Sequence, residues 1–162
     1  FDCAALVYRD STSARRSLTQ EADYLDPIAD AGNPSDLAVH LTRRVRGVPL
    51  WASVLAYGTD AYAAAVERCV EMTGYAAERI AAAAELELVI EPAFTVLLVR
   101  RLGWAPADYA AWSDDALSSG LAMLMPTRHR GETVLRFCFI NPLTTREDVD
   151  LVLAGLSARR TP

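Results

Sequence analysis

The hydrophobic period of this chain changes near residue 85, and that change restricts the folds open to it. After Thr59 or Asp60, either of which can cap a helix, apolar residues recur at Tyr62, Val66, Cys69, Val70, Ala77, Ile80 and Ala84, while Glu67, Arg68, Glu71, Glu78 and Arg79 fall mostly elsewhere. This spacing predicts one amphipathic helix, running to about Ala84, with a single buried face. The alanines within it reflect helix propensity. Beyond it Leu86, Leu88 and Ile90 alternate with charged or less regular neighbours, and Phe94 to Val99 forms a second β-type run closed by Arg100 and Arg101. Ala107 to Ser118 returns to a helical pattern. Leu121 to Met125 and Thr133 to Ile140 read as two strands joined through His129-Arg130-Gly131, and Thr145-Arg146-Glu147-Asp148 opens a last helix with the pattern of a capping box. Strands and helices therefore mix in one small α+β unit.

The first third of the chain has a different character. Cys3 to Tyr8 is a continuous apolar run ending in Arg9-Asp10, the pattern of a strand buried on both faces of an α/β sheet. Such a strand cannot stand alone. Ser11 to Leu41 is polar, with turn chemistry at Asp26-Pro27 and Gly32-Asn33-Pro34-Ser35, and reads as a long mobile loop. Leu50 to Tyr57 is again helical, and Gly58 breaks it.

Composition narrows the function classes. With 52% hydrophobic and 23% charged residues in 162, the chain has what a packed core requires. Its apolar stretches are short and interrupted by Glu, Arg or Gly, far from the roughly 20 apolar residues of a membrane span. A net charge of −5 argues against a nucleic-acid partner, because phosphate binding calls for a basic face. Cys3, Cys69 and Cys138 are too few and too scattered for a disulfide framework or a zinc site, so they read as reduced core cysteines of a cytoplasmic protein. His40 and His129 lack metal-ligand spacing to Cys or acidic residues, and Asp114-Asp115 reads as a solvated helix face. No glycine-rich phosphate loop or nucleophile elbow is present.

Five stretches carry a resemblance, in unbroken order: Phe1-Asp2-Cys3-Ala4-Ala5, Ala22-Asp23-Tyr24-Leu25, Thr42-Arg43-Arg44-Val45-Arg46, Pro49-Leu50-Trp51 and Val134-Leu135-Arg136-Phe137. Together the chain resembles the group II pyridoxal-phosphate-dependent amino-acid decarboxylases, which include aromatic-amino-acid and glutamate decarboxylases. The resemblance implies an α/β fold of fold type I, the aspartate-aminotransferase-like pyridoxal enzymes. Residues 1–48 would be the end of the large cofactor domain with its catalytic loop, 49–84 connecting helices and 85–162 the α+β C-terminal small domain.

The same resemblance implies pyridoxal 5′-phosphate as cofactor, held as a Schiff base by a lysine that follows a histidine just upstream of the Phe-Asp-Cys stretch. This chain contains no lysine; all sixteen of its Lys and Arg positions are Arg. Arginine cannot take the part, since its guanidinium stays protonated and is no nucleophile. The expectation is therefore a truncated, processed or split polypeptide that acts as a decarboxylase with a complementary N-terminal segment carrying the lysine; the alternatives are a related pyridoxal enzyme that deaminates oxidatively or forms an aldehyde, and a non-catalytic subunit of the same fold. A homodimer-like assembly and a small amino-acid substrate are also implied.

Four residues are the expected site. Tyr24, in the polar loop, matches the position at which the family places a catalytic tyrosine, and a phenol on a closing loop can return a proton to the substrate carbon. Arg136 lies in a strand of the small domain, where fold-type I enzymes often bind a substrate carboxylate with a planar two-donor fork. A tight clamp on the carboxylate that departs would oppose the reaction, so a structural ion pair is the competing role. Thr42, before Arg43-Arg44, matches a neighbourhood that in relatives reaches the substrate pocket at a dimer interface; His40, close by, could stack on the pyridine ring or bind substrate, with a plain surface polar residue as the competing role. Arg43, Arg44 and Arg46 beside Trp51 read as structural salt-bridge partners. Many relatives carry a lysine two residues before the tryptophan; here that position is Pro49.

Overall fold

The computed structural model describes residues 5–20, 33–42 and 44–158. The chain divides into two compact units, Phe1–Gly58 and Thr59–Pro162.

In the first unit, residues 5–8 have no regular secondary structure and join no ladder among the described residues, and Leu6 and Val7 are exposed. The strand expected over Cys3 to Tyr8 is thus not formed over its described part: a strand needs a hydrogen-bonded neighbour, and none of the described residues supplies one. Cys3 lies outside the described residues. The stretch expected to be a loop contains a helix α1 (Thr12–Leu18) and a 3₁₀ turn (Pro34–Leu37). Asp10 starts α1 by accepting the Thr12 amide at 2.9 Å and its hydroxyl at 2.7 Å. Asp36 accepts the Asn33 amide at 3.1 Å and pairs with the Arg15 guanidinium at 3.3 Å, which ties the turn to α1.

Helix α2 (Gly47–Ala82) is broken at Gly58, whose φ of 78° and ψ of 163° are not helical. Beyond the break it buries Cys69, Met72, Thr73, Ala76 and Ile80, a stripe at helical spacing. Tyr62, Val66 and Val70, expected on the buried face, are each about 40% exposed. Tyr62 and Val66 lie on the same stripe, N-terminal to the part that is covered. The Thr73 hydroxyl returns to the Cys69 carbonyl at 2.8 Å, so its burial leaves no orphan donor.

Strands β1 (Leu86–Ala93), β2 (Val96–Arg101), β3 (Pro126–His129) and β4 (Glu132–Cys138) form an antiparallel sheet in the order β1-β2-β4-β3. The second run starts two residues later than its sequence predicts because Phe94 takes φ 68° in the β1–β2 turn. Leu121 to Met125 is not a strand. The Leu121 and Ala122 amides both bond the Ala116 carbonyl and close the end of α3 (Pro106–Ser118), with Gly120 at φ 74°. The strand begins only at Pro126. Arg130 and Gly131, both at positive φ, make the tight turn that pairs His129 with Glu132.

Helix α4 (Arg146–Ser157) begins on the expected capping box: the Thr145 hydroxyl accepts the Asp148 amide at 3.2 Å, and Asp148 accepts the Thr145 amide at 2.9 Å. One sheet face, with Leu97, Val99, Leu135 and Phe137, packs with Ile80 of α2, Trp112 of α3 and Leu153 of α4 into a single core. Arg101 closes this layer, donating to the Leu156 carbonyl at 3.1 Å and the Ser157 carbonyl at 3.2 Å, where a cation complements the helix C-terminus.

Candidate functional site

Arg136 owes its position to strand alternation. On β4, Leu135, Phe137 and the following Phe139 turn into the core, so Arg136 and Cys138 face the other way and are exposed. Cys138 is therefore not the core cysteine its sequence predicts, whereas Cys69 is buried as a free thiol. Across the sheet Arg136 stands opposite Leu98, and Leu98 opposite Ile90, so its guanidinium rises from an apolar row.

Two other arginines of the sheet are committed. Arg100 reaches Glu87 at 2.7 Å and also pairs with Glu132; the hydrogen bond to Glu87 is the main cause of its raised pKa. Arg101 is spent on backbone carbonyls. Arg136 has neither an ion pair nor a hydrogen bond among the described residues. Its two-donor fork is open to a carboxylate from elsewhere.

His40 and Thr42 belong to the first unit. Both are exposed, and His40 lines an open concavity of about 470 Å³ together with Leu6, Tyr8, Leu18, Leu37 and Val39. Tyr8 closes the apolar run that the sequence shows from Cys3, whereas Leu18 and Leu37 sit in a polar stretch with no such signal, and only the fold brings them to the same concavity. Tyr24 and Arg43 lie outside the described residues. The structure thus brings His40 and Thr42 into one unit and puts Arg136 in the other.

Among the described residues no group of three or more His, Cys, Asp or Glu side chains is placed to hold a metal ion. None of the described helices is long and apolar enough to cross a membrane. The Asp114-Asp115 pair is exposed on α3.

The fold is similar to that of solved pyridoxal-phosphate-dependent decarboxylases of fold type I. The chain superposes on Oryza sativa TDC with PLP and tryptamine at a TM-score of 0.72 and 22% identity, covering 88% of this chain and 32% of that one. It matches the glutamate decarboxylase domain of a Vibrio parahaemolyticus protein at 0.63 and 25% identity, covering 72% and 26%. The pyridoxal-dependent decarboxylase conserved domain matches residues 1–101, and the chain belongs to that family.

Among curated proteins it is 27% identical to L-2,4-diaminobutyrate decarboxylase of Acinetobacter baumannii over 96% of its own length, and 25% identical to tyrosine decarboxylase 2 of Narcissus pseudonarcissus over 92%. The chain spans about a third of each of these relatives, 32% in both cases.

The cofactor implied by the family is pyridoxal phosphate, and the residues present do not complete a site for it. His40, Thr42 and Arg136 offer an imidazole, a hydroxyl and a guanidinium, but the chain has no side-chain amine to anchor an aldehyde.

Proposed function

We propose that this chain is the C-terminal part of a pyridoxal-phosphate-dependent amino-acid decarboxylase, which releases carbon dioxide from a small L-amino acid to give an amine. The observation that carries this reading is the family match across residues 1–101 together with the missing lysine. The covalent anchor then comes from a complementary segment or chain, and these 162 residues alone are inactive. Residues 1–48 complete the large domain of that enzyme, 49–84 connect, and 85–162 form its small domain. The working enzyme is a dimer in the cytoplasm.

In this reading Arg136 receives a carboxylate of the substrate. Its open fork and the apolar row of Leu98 and Ile90 support the role, since neither an acidic neighbour nor a backbone carbonyl among the described residues competes for it. His40 and Thr42 contribute polar contacts to the substrate, and Tyr24 returns a proton to the carbon from which carbon dioxide has left.

The test is to isolate the chain with the polypeptide that accompanies it and to offer aromatic L-amino acids and L-2,4-diaminobutyrate. The assembly should release carbon dioxide and amine in equal amounts, while the 162 residues alone release neither. After borohydride reduction with pyridoxal phosphate, the cofactor mass should appear on a lysine outside this chain. A stable side-chain adduct on this chain, or turnover by it alone, would remove the complementary segment from the reading. Aldehyde and ammonia in place of the amine would change the reaction assigned.

A further inference from the structure

The part of α2 ahead of Gly58 has no side suited to water. Across residues 47–59 no side chain carries a charge. Helical spacing sets Val48, Leu50, Trp51, Val54, Leu55 and Tyr57 on one half of this helix and Pro49, Ala52, Ser53 and Ala56 on the other. Helices α3 and α4 are built differently: α3 buries Tyr109, Trp112 and Ala116 and exposes Asp114 and Asp115, while α4 buries Val149, Leu153 and Leu156 and exposes Glu147. A helix without a polar face belongs inside a protein body. Among the described residues this one is left open, with Trp51, Leu55 and Tyr57 62%, 66% and 72% exposed.

Its chemistry selects among the bodies that can cover it. A bilayer does not fit, because the uncharged stretch is shorter than the roughly 20 apolar residues of a span, and it lacks the charged face that an interfacial helix turns to the headgroups. A second copy of the chain does not fit either: a two-fold contact sets one face against its own counterpart and leaves the opposite half in water. Given the function proposed above, on which this rests, we infer that residues 47–57 are the docking element for the lysine-bearing segment of the enzyme, which encloses this helix on every side. The family match runs through the helix, within residues 1–101, and the chain spans 32% of each of two curated relatives, proteins with the further body that such an enclosure takes.

Cysteine accessibility in the assembled protein is the test. Cys3 and Cys138 are replaced by Ser and Cys69 stays in the core. Leu50→Cys, Ala52→Cys, Leu55→Cys and Ala56→Cys are then introduced one at a time, at exposed positions spread around the helix. Each should react with a maleimide at least about a hundredfold more slowly in the assembly than after unfolding, the mark of a site reached only by local opening. A second probe, p-benzoylphenylalanine in place of Tyr57, should cross-link on illumination to the segment that carries the lysine. Fast labelling on one half of the helix, or on all of it, overturns the enclosure. Cross-links confined to another copy of this chain, or none, overturn the occupant. An active assembly with either result keeps the proposed function and loses only the docking element, whereas an assembly that holds no lysine-bearing segment removes both.

Discussion

The Tyr75 hydroxyl donates to Asp150 across 2.8 Å and so joins α2 to α4 on the rim of the core. The other oxygen of the same carboxylate accepts from Arg79 Nε at 2.8 Å. One turn earlier, Arg146 lies over the Tyr75 ring at 5.0 Å and pairs with Glu71 at 3.1 Å. The hydrogen bonds from Tyr75 and Arg79 lower the pKa of Asp150, and the bond to Asp150 raises that of Tyr75.

The sign of the pH dependence follows from those directions. A carboxyl whose folded pKa lies below its unfolded value stabilises the fold above the unfolded pKa, and this contribution is lost as pH falls through the folded one. Asp150 and Asp148 are both of this kind, Asp148 through its bonds from Thr145. Thermal melts should therefore show stability declining as pH drops below about 4, the unperturbed Asp value. Asp150→Asn should flatten that decline and lower Tm modestly at pH 7, since the pair is surface-exposed and screened by salt. An unchanged acid limb in the variant would assign it to other carboxylates.

Leu135 is fully buried between Val99 of β2 and Pro126 of β3 in the register of the sheet. Leu135→Ala should destabilise the second unit by about 2–5 kcal/mol, the cost of lost burial plus the cavity left behind. Denaturant titration monitored by far-UV circular dichroism measures it. A loss below about 1 kcal/mol would mean that this layer does not hold the unit together.

Features that depend on neighbouring residues were legible in the sequence, and features that depend on distant contacts were less so. The break at Gly58, the capping box of Thr145 and Asp148, and the turn through Arg130 and Gly131 each rest on chemistry within four residues. Apolar runs were harder, because Leu121 to Met125 has a strand's composition but follows the end of α3, which takes its first two amides. Helical spacing placed Tyr62 and Val66 on the buried stripe, yet periodicity does not say where a helix leaves its covered stretch. Cys138 was misjudged for a similar reason: its burial depends on which face of β4 it takes, and Leu135 and Phe137 set that alternation. At the site, the open fork of Arg136 could not be read from Val134-Leu135-Arg136-Phe137, because the pairing of Arg100 with Glu87 and Glu132 appears only across the sheet.

If Tyr24 returns the proton, as proposed, Tyr24→Phe should separate that step from binding, since it removes a hydroxyl and little else. In the complete enzyme, cofactor content and KM should stay near the parent's while amine formation falls by about 10²–10⁴-fold, the usual range for a positioned acid. Rapid-quench measurement of the chemical step checks this without interference from product release. Unchanged amine formation in that step would reduce Tyr24 to a loop anchor.

Arg136→Lys keeps the charge and removes the planar fork, and Arg136→Ala removes both. If Arg136 holds a substrate carboxylate, KM in the complete enzyme should rise by about 10–100-fold for Ala, equivalent to the 1.5–3 kcal/mol of a hydrogen bond to a charged group. Lys should recover part of it. The fold should be indifferent, because Arg136 has no ion pair among the described residues and stands exposed opposite Leu98. Melting both variants beside the parent distinguishes the roles. A raised KM with unchanged Tm assigns Arg136 to the substrate, whereas a lowered Tm with KM preserved makes it an ion-pair partner to another part of the assembly.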